Sequence, residues 1–192
     1  YFDSQLPGDV EAFYRVTAVY EDNAESPPAR ASATRTVAQE LIVEAVADTF
    51  VLDSEPQANF GSSFTLRADA SPVALTYLRF EIGSIGDAEV ASVALRLYAR
   101  SDGAGIKVNS ALTSDWTESE INYANAPGTG PLVVEAPPFS ADDFMEVDVT
   151  ALIDVEEQPV TLVIRNSDTV SAGFLSRESG YFAPQLVVRL AP

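Results

Sequence analysis

The feature that most constrains the fold is a series of short segments in which every second side chain is apolar. The clearest covers residues 76–82, where Leu78 begins an apolar face while Tyr77 and Arg79 fall on the opposite face. Residues 90–99 alternate in the same way. Because successive side chains of a β-strand point to opposite faces, each segment predicts a strand with one buried face.

Comparable segments recur along the chain, with turns between them that are rich in glycine, proline, asparagine and serine. The additional predicted strands cover residues 13–20, 31–37, 48–52, 64–68, 106–112, 132–135, 144–149, 160–165 and 185–190. A single helical turn is predicted near residues 150–154. Many short strands with almost no helical periodicity indicate an all-β fold, and the chain length favours an antiparallel β-sandwich of the jelly-roll type.

The first part of the chain holds only two predicted strands, which are too few for an independently stable sheet. It resembles the C-terminal part of a fibronectin type III domain. The resemblance rests on Leu-Pro-Gly at 6–8, Tyr-Arg-Val-Thr-Ala-Val at 14–19, Glu-Ser at 25–26 and Ala-Thr at 33–34. It implies that neighbouring domains of a longer protein, or a second copy of the chain, complete the sheet.

We therefore divide the chain into residues 1–43, a partial fibronectin type III-like domain with its linker, and residues 44–192, a jelly-roll module. The connection over residues 38–46 changes from polar to apolar. Its pattern fits either a helical turn or an extended linker, and the sequence does not choose between them.

The second part, over residues 47–190, resembles the DNRLRE family, which is grouped with the carbohydrate-binding modules of family 96. The motifs that carry the resemblance are Ala-Asp-Thr-Phe-Val at 47–51, Asn-Phe-Gly-Ser-Ser at 59–63, Tyr-Leu-Arg-Phe at 77–80, Ala-Leu-Arg-Leu-Tyr at 94–98, Trp-Thr-Glu at 116–118, Asn-Tyr-Ala-Asn-Ala-Pro at 122–127, Val-Asp-Val-Thr at 147–150, Ser-Arg-Glu at 176–178 and Pro-Gln-Leu-Val-Val at 184–188. The resemblance implies a module of large secreted or cell-surface proteins that sits beside domains acting on polysaccharides. Some members bind acidic polysaccharides such as alginate. Tyr123 departs from the pattern, where a tryptophan is expected.

Two residue types that carry much protein chemistry, cysteine and histidine, are absent. The chain therefore has no disulfide, no thiol nucleophile, no Ser-His-Asp triad and no histidine-liganded metal site. Glycosidases use carboxylate pairs, but such pairs are too common in this acidic chain to identify an active site. We expect a non-catalytic protein that serves, at most, as an accessory part of a polysaccharide-degrading enzyme.

The charge balance restricts the partners further. The formal net charge is -18, and the basic residues are nearly all arginine. Such a surface excludes nucleic acid, because phosphate binding needs clustered cations. An acidic, lysine-poor surface suits high salt, so we expect a secreted or cell-surface protein of a marine or halophilic source. No apolar run is long enough to span a bilayer, and membrane insertion is not expected.

The candidate ligand-binding residues are cations and aromatic residues on the predicted outer faces of strands and in nearby turns. They are Tyr77, Arg79, Arg96, Tyr98, Lys107, Trp116 and Arg177. Guanidinium groups suit the carboxylates of uronic acids, and aromatic faces suit sugar rings. Arg79 and Arg96 would line one groove if their strands were adjacent. The alternative is that Arg79 pairs with Glu81 or Glu178 to hold the sheet or its loops together.

The single tryptophan, Trp116, lies in a polar, turn-rich stretch over residues 115–127. An indole in such a stretch either caps the end of a core or stacks on a ligand. Structural calcium is a candidate cofactor, because clusters of carboxylates suit this ion, but no EF-hand spacing identifies a site.

Two functions remain from this reasoning. The first is a non-catalytic polysaccharide-binding module of a secreted or cell-surface multidomain protein, with an acidic, uronate-containing polysaccharide as the expected ligand class. The alternative is a structural module of an extracellular fibre, sheath or adhesin that has no sugar ligand and self-associates.

Overall fold

The computed structural model describes residues 11–34, 39–156, 158–166 and 170–191. The chain divides into two compact units, Tyr1–Gln39 with Ala191–Pro192, and Glu40–Leu190. In the first unit, strand β1 (Glu11–Val16) pairs antiparallel with strand β2 (Ala29–Thr34). The Leu-Pro-Gly stretch at 6–8 and the end of the second predicted strand lie outside the described residues. The fibronectin type III identity of this unit stays a prediction.

The regular secondary structure of the second unit is almost entirely β-strand. In chain order they are β3 (Glu40–Glu44), β4 (Ala47–Leu52), β5 (Thr65–Ala70), β6 (Val73–Phe80), β7 (Val90–Tyr98), β8 (Ile106–Ser110), β9 (Val134–Ala136), β10 (Phe144–Asp148), β11 (Val160–Arg165), β12 (Ala172–Leu175) and β13 (Gln185–Leu190). Two short 3-10 helices cover Thr150–Leu152 and Arg177–Phe182. Among the described residues no helix is both long and apolar enough to cross a membrane.

The strands of the second unit form two antiparallel sheets. A four-stranded sheet has the order β10-β7-β13-β3. A seven-stranded sheet has the order β12-β5-β6-β11-β8-β9, with β4 paired to β6 outside this path. The all-β, antiparallel sandwich that the sequence predicts is therefore confirmed, whereas the jelly-roll connectivity stays a prediction.

The main hydrophobic core lies between the inner faces of the two sheets. Leu78 and Phe80 on β6 are fully buried there, together with Leu95 on β7, Leu162 on β11 and Leu186 on β13. The alternation in residues 76–82 and 90–99 thus identified the inward side chains correctly. Burial of such apolar side chains is the dominant favourable contribution to folding.

The connection over residues 38–46 contains neither a helical turn nor a free linker in its described part. Strand β3 pairs along β13, with Val43 opposite Leu186, and Val43 packs into the core. The compact unit accordingly begins at Glu40. The sequence placed the boundary at residue 44, because a five-residue edge strand carries little pattern of its own.

Candidate functional site

A loop over residues 111–130 covers the outer face of the seven-stranded sheet. Its ends meet at a β-bridge between Ala111 and Thr129. Trp116, at its centre, is only 7% exposed and donates a hydrogen bond of 3.0 Å from its Nε1 to Oγ1 of Thr161. Together with Tyr77, Val163 and three other buried apolar residues, it forms a second, smaller core. We call this segment the Trp116 loop.

Two of the predicted ligand-binding residues, Trp116 and Tyr77, are buried. Trp116 caps a core, so of the two roles considered for it, the structure supports capping. Tyr77 is 1% exposed and donates a hydrogen bond of 2.7 Å to the carbonyl oxygen of Pro127. Burial, with a smaller contribution from Tyr123, raises the pKa of Tyr77 to about 12. Neither ring presents a face to a polysaccharide.

Arg79 is half-buried at the rim of the Trp116 loop. Its guanidinium lies over the indole of Trp116, with Cζ 5.0 Å from the ring centroid, and its Nη1 donates a hydrogen bond to the carbonyl oxygen of Trp116. No carboxylate of the described chain pairs with Arg79, and its buried Nε has no hydrogen-bond partner. The predicted pairing with Glu81 or Glu178 is therefore not seen, and the cation is held in place by the indole instead.

A groove of about 850 Å³ opens beside this arginine. We call it the Arg79 groove. Its walls come from Ser110–Asp115 and from Leu152, Asp154, Glu156 and Gln158–Thr161, together with Arg79 and Glu81. Four exposed carboxylates line it, namely Glu81, Asp115, Asp154 and Glu156. The groove thus holds one oriented guanidinium within acidic walls.

Arg177 belongs to a different group of charges, which fastens the Trp116 loop to the sheet. Its Nη1 lies 3.0 Å from Oε2 of Glu118, and its backbone N–H donates to Oδ2 of Asp48 at 2.8 Å. The other oxygen of Glu118, Oε1, accepts a hydrogen bond of 2.8 Å from the backbone N–H of Asp48. Glu178 lies beside them, 4.0 Å from Arg177. We call these four residues the carboxylate latch.

The latch brings three acids close together, since one oxygen each from Asp48, Glu118 and Glu178 lies within 4.8 Å of the others. Desolvation is the main cause that raises the pKa of Asp48 to about 7, and repulsion by Glu178 and Glu118 adds to it. Carboxylate oxygens in this arrangement are of the type that calcium prefers. Arg177 and backbone donors already occupy several of them, so the contacts themselves support a structural role, and calcium stays a candidate cofactor.

The condition for a shared groove is not met, because the strands of Arg79 and Arg96 are not adjacent. Arg79 is on β6 of the seven-stranded sheet, whereas Arg96 is on β7 of the four-stranded sheet. The two therefore lie on opposite outer faces of the sandwich. Alternation assigns a residue to an inner or outer face, but it does not show which strands pair, because pairing is a long-range property.

On its own face, Arg96 takes part in a row of charges. Its Nε and Nη2 donate to Oε1 of Glu146 at 2.8 and 2.6 Å. Arg189 donates to Oε1 of Glu40 at 2.7 Å and to Oε2 of Glu146 at 3.3 Å. These contacts hold the pKa of Glu146 below its usual value despite partial desolvation. The guanidinium of Arg96 is therefore already paired with a carboxylate on the neighbouring strand.

Lys107 is also paired with a carboxylate, on the outer face of the seven-stranded sheet. Its Nζ lies 3.1 Å from Oε1 of Glu135 on the neighbouring strand β9. Such exposed ion pairs contribute little to stability. The structure does not bring Lys107 to the Arg79 groove.

Beside Arg96, at one end of the four-stranded sheet, four aromatic rings lie in contact. Tyr98 and Phe144 are directly opposite each other on β7 and β10, with ring centroids 5.2 Å apart. Phe182 lies 4.3 Å from Tyr98, and Tyr181 lies 5.2 Å from Phe182. We call this cluster the aromatic platform. Of these four rings, the strand pattern predicts only Tyr98 as a ligand contact; the adjacent aromatics Tyr181 and Phe182, beside Gly180, are a second signal in the sequence.

Comparison with known proteins gives one finding and one negative result. A protein-family model described as carbohydrate-binding module family 96 matches residues 39–190. The match covers the whole second unit. No curated protein matched the chain.

Proposed function

Because the chain belongs to carbohydrate-binding module family 96, we propose that it is a non-catalytic polysaccharide-binding module that takes an acidic, uronate-containing chain in the Arg79 groove. The family supports a carbohydrate ligand and does not favour the alternative of a structural module without one. The observation that carries the acidic ligand is Arg79 itself. It is a half-buried guanidinium with no carboxylate partner in the described chain, and it lines a groove.

The indole beneath Arg79 prepares it for this task. Since the guanidinium is already stacked on Trp116 and anchored to the carbonyl oxygen of that residue, a ligand need not immobilise a free side chain. A guanidinium offers two parallel N–H donors to a carboxylate, and such charge-assisted pairs are roughly twice as strong as neutral hydrogen bonds. The hydroxyls of Ser110, Thr113 and Ser114 lie along the same groove and suit the hydroxyl groups of a sugar.

The acidic walls predict an unusual salt dependence. The four wall carboxylates repel an anionic chain over several ångströms, whereas the contact with Arg79 acts at short range in a partly buried position. Salt at about 0.15 M screens interactions beyond roughly 8 Å and acts less on close, partly buried pairs. Binding of an acidic polysaccharide should therefore strengthen as salt increases from low values, which agrees with the proposed high-salt habitat.

Affinity electrophoresis of the full chain tests this proposal. The gels would contain alginate or pectin at low and high NaCl, and Arg79→Gln would be compared with the parent. Glutamine keeps an N–H donor for the carbonyl oxygen of Trp116 but removes the guanidinium. Arg100→Gln is the matched control, because it removes the same charge from an exposed arginine whose nearest carboxylate, Asp142, is 3.8 Å away.

We expect Arg79→Gln to weaken retention by about tenfold or more, which is the loss of one charge-assisted pair, while Arg100→Gln binds like the parent. Thermal unfolding of both variants controls for misfolding. Equal retention of the parent and Arg79→Gln would refute the role of Arg79. Retention of the parent by neither polymer, at any salt concentration, would refute the acidic ligand.

We further propose a secreted or cell-surface setting for the parent protein, in which this module is an accessory part of a polysaccharide-degrading enzyme. The acidic composition supports an extracellular, high-salt environment. Neighbouring domains, or a second copy of the chain, would complete the two-stranded first unit.

A further inference from the structure

The aromatic platform is an open surface rather than part of a core. Tyr181 is 80% exposed, and Tyr98, Phe144 and Phe182 are each half-buried. No hydrogen bond joins the hydroxyl of Tyr98 or Tyr181 to another of the described residues. Four adjoining rings, one exposed and three half-buried, therefore lie at the end of the four-stranded sheet. Exposed aromatic clusters of this kind mark binding sites more often than chance.

A shallow cleft of about 330 Å³ continues the platform beyond Phe144. The turn over Pro137, Pro138, Phe139 and Ser140 forms one wall, and Asp143 to Glu146 form the other. Rings and cleft together make a surface that an extended chain can cross. The cleft supplies polar acceptors beside an apolar platform, as sites for amphipathic ligands generally do.

The charges around the platform select against an anionic ligand. The cation that precedes Tyr98 on the same face of β7, Arg96, already donates two hydrogen bonds to Glu146. The cleft adds Asp143 and Glu146, and the interaction with Arg96 and Arg189 keeps the pKa of Glu146 low, so that it stays ionised. Carboxylates that are ionised accept hydrogen bonds only. A hydroxyl-rich, uncharged ligand satisfies them, whereas an anionic chain is repelled.

We propose that the aromatic platform and its cleft are a second carbohydrate-binding surface, specific for a neutral polysaccharide, on the face of the sandwich opposite the Arg79 groove. The apolar face of a pyranose ring stacks on Tyr181 and Phe182, and neighbouring hydroxyls donate to Asp143 and Glu146. This inference shares with the proposed function only the premise that the ligands are carbohydrates. The two surfaces are built on different sheets, and each can fail without the other.

The test uses affinity electrophoresis of the full chain in gels that contain a soluble neutral polymer, hydroxyethyl cellulose or laminarin. The variants are Tyr181→Ala and Tyr181→Phe, because the exposed side chain can be removed without disturbing the core. Phe64→Ala is the matched control, since Phe64 is also a strongly exposed aromatic (66%), in the loop before β5. Arg79→Gln is run beside them in neutral and in alginate gels.

We expect a neutral polymer to retain the parent, Phe64→Ala and Arg79→Gln, whereas Tyr181→Ala loses about tenfold in affinity, as expected for one stacked ring. Tyr181→Phe keeps the ring and should keep most of the binding. Tyr181→Ala should still bind alginate if the Arg79 groove does, which separates the two surfaces.

Several results would overturn this inference. Lack of retention of the parent in both neutral polymers would do so, even if alginate binds. Equal retention of Tyr181→Ala and the parent would also overturn the inference. If light scattering showed a dimer of the parent that Tyr181→Ala dissociates, the platform would be a surface for a second copy of the chain and not for a sugar.

Discussion

At the scale of single residues, the most unusual group is the buried carboxyl of Asp48. It is 1% exposed and shares the latch with Glu118 and Glu178. Its pKa of about 7 means that the folded protein holds a proton on Asp48 at pH values where the unfolded chain, with a value near 3.8, has lost it. Linkage then requires stability to fall as pH rises between these two values.

We predict that Asp48→Asn removes this dependence. Asparagine keeps an oxygen that can accept the hydrogen bond from the backbone N–H of Arg177. The stabilisation that protonated Asp48 contributes is fully present below about pH 4 and is lost as pH rises through 7; a shift of three units corresponds to on the order of 4 kcal/mol. The variant should therefore gain stability relative to the parent between pH 4 and 8, as measured by urea unfolding in the presence of EDTA.

The difference in free energy of unfolding between Asp48→Asn and the parent isolates Asp48, because other acids titrate in the opposite sense. Asp69, Asp148 and Glu146 have lowered pKa values, so their contributions are lost as pH falls. The parent and the variant share these three acids, so the contributions of the acids cancel in the difference. A free-energy difference that stays constant from pH 4 to 8 would contradict the raised pKa of Asp48.

Sequence reasoning at this scale identified residue types better than their roles. The strand pattern predicts an outward position for Arg79, and the structure places it at a groove. Tyr77 shares that outward face but is buried, because the Trp116 loop folds over it. The strand pattern shows which side chains leave the main core, and it contains no information about what a distant loop then covers.

At the scale of elements, the Trp116 loop is held by the turn over Asn59–Gly61. The side chain of Asn59 donates hydrogen bonds of 2.7 Å to the carbonyl oxygens of Glu118 and Ile121. Gly61 packs so closely that a β-carbon there would overlap the backbone oxygen of Glu118. The loop is thus a fitted cover on the sheet and not a free connection.

We predict that Gly61→Ala loosens this cover and lowers the free energy of unfolding by about 1–3 kcal/mol, the usual cost of overpacking. The single tryptophan reports the change directly. Its fluorescence should shift to longer wavelength and become more accessible to acrylamide as the indole gains exposure to water. Gly173→Ala is the control, because the nearest atom, Oγ of Ser101, would lie at an ordinary distance of 3.7 Å. An unchanged emission spectrum in Gly61→Ala would disprove the close fit.

Periodicity predicted most strands because each half-buried strand carries its own pattern. It failed at β3, which is an edge strand with three exposed positions before Val43. It also could not order the strands into sheets, since β7 pairs with β10 and β13, far away in sequence. Both failures concern contacts between distant segments, which local pattern does not encode.

At the scale of the whole molecule, the structure predicts where the module can be cut. A chain that begins at Glu40 keeps every strand of the second unit, whereas one that begins at residue 44 loses most of β3. That shorter chain also loses the ion pair between Arg189 and Glu40 and most of the pairing of β3 with β13. We expect the chain beginning at Glu40 to unfold with the same midpoint as the full chain, followed by Trp116 fluorescence.

The shorter chain, beginning at residue 44, should unfold at a lower temperature, because the apolar side chain of Val43 and four of the five paired positions of β3 are lost. An equal midpoint for the two truncated chains would show that β3 adds no stability. In that case the module would begin at residue 44, where the sequence pattern placed it.

The position of Lys107 has a practical consequence. It is the chain's only lysine, and it lies on the outer face of the seven-stranded sheet, while the aromatic platform lies on the other side of the sandwich. With the α-amino group of the chain blocked, amine-directed coupling through this side chain would attach the module to a bead or sensor chip in a single orientation, with the platform turned toward the solution. The single lysine of the chain thus allows the module to be immobilised in a defined orientation.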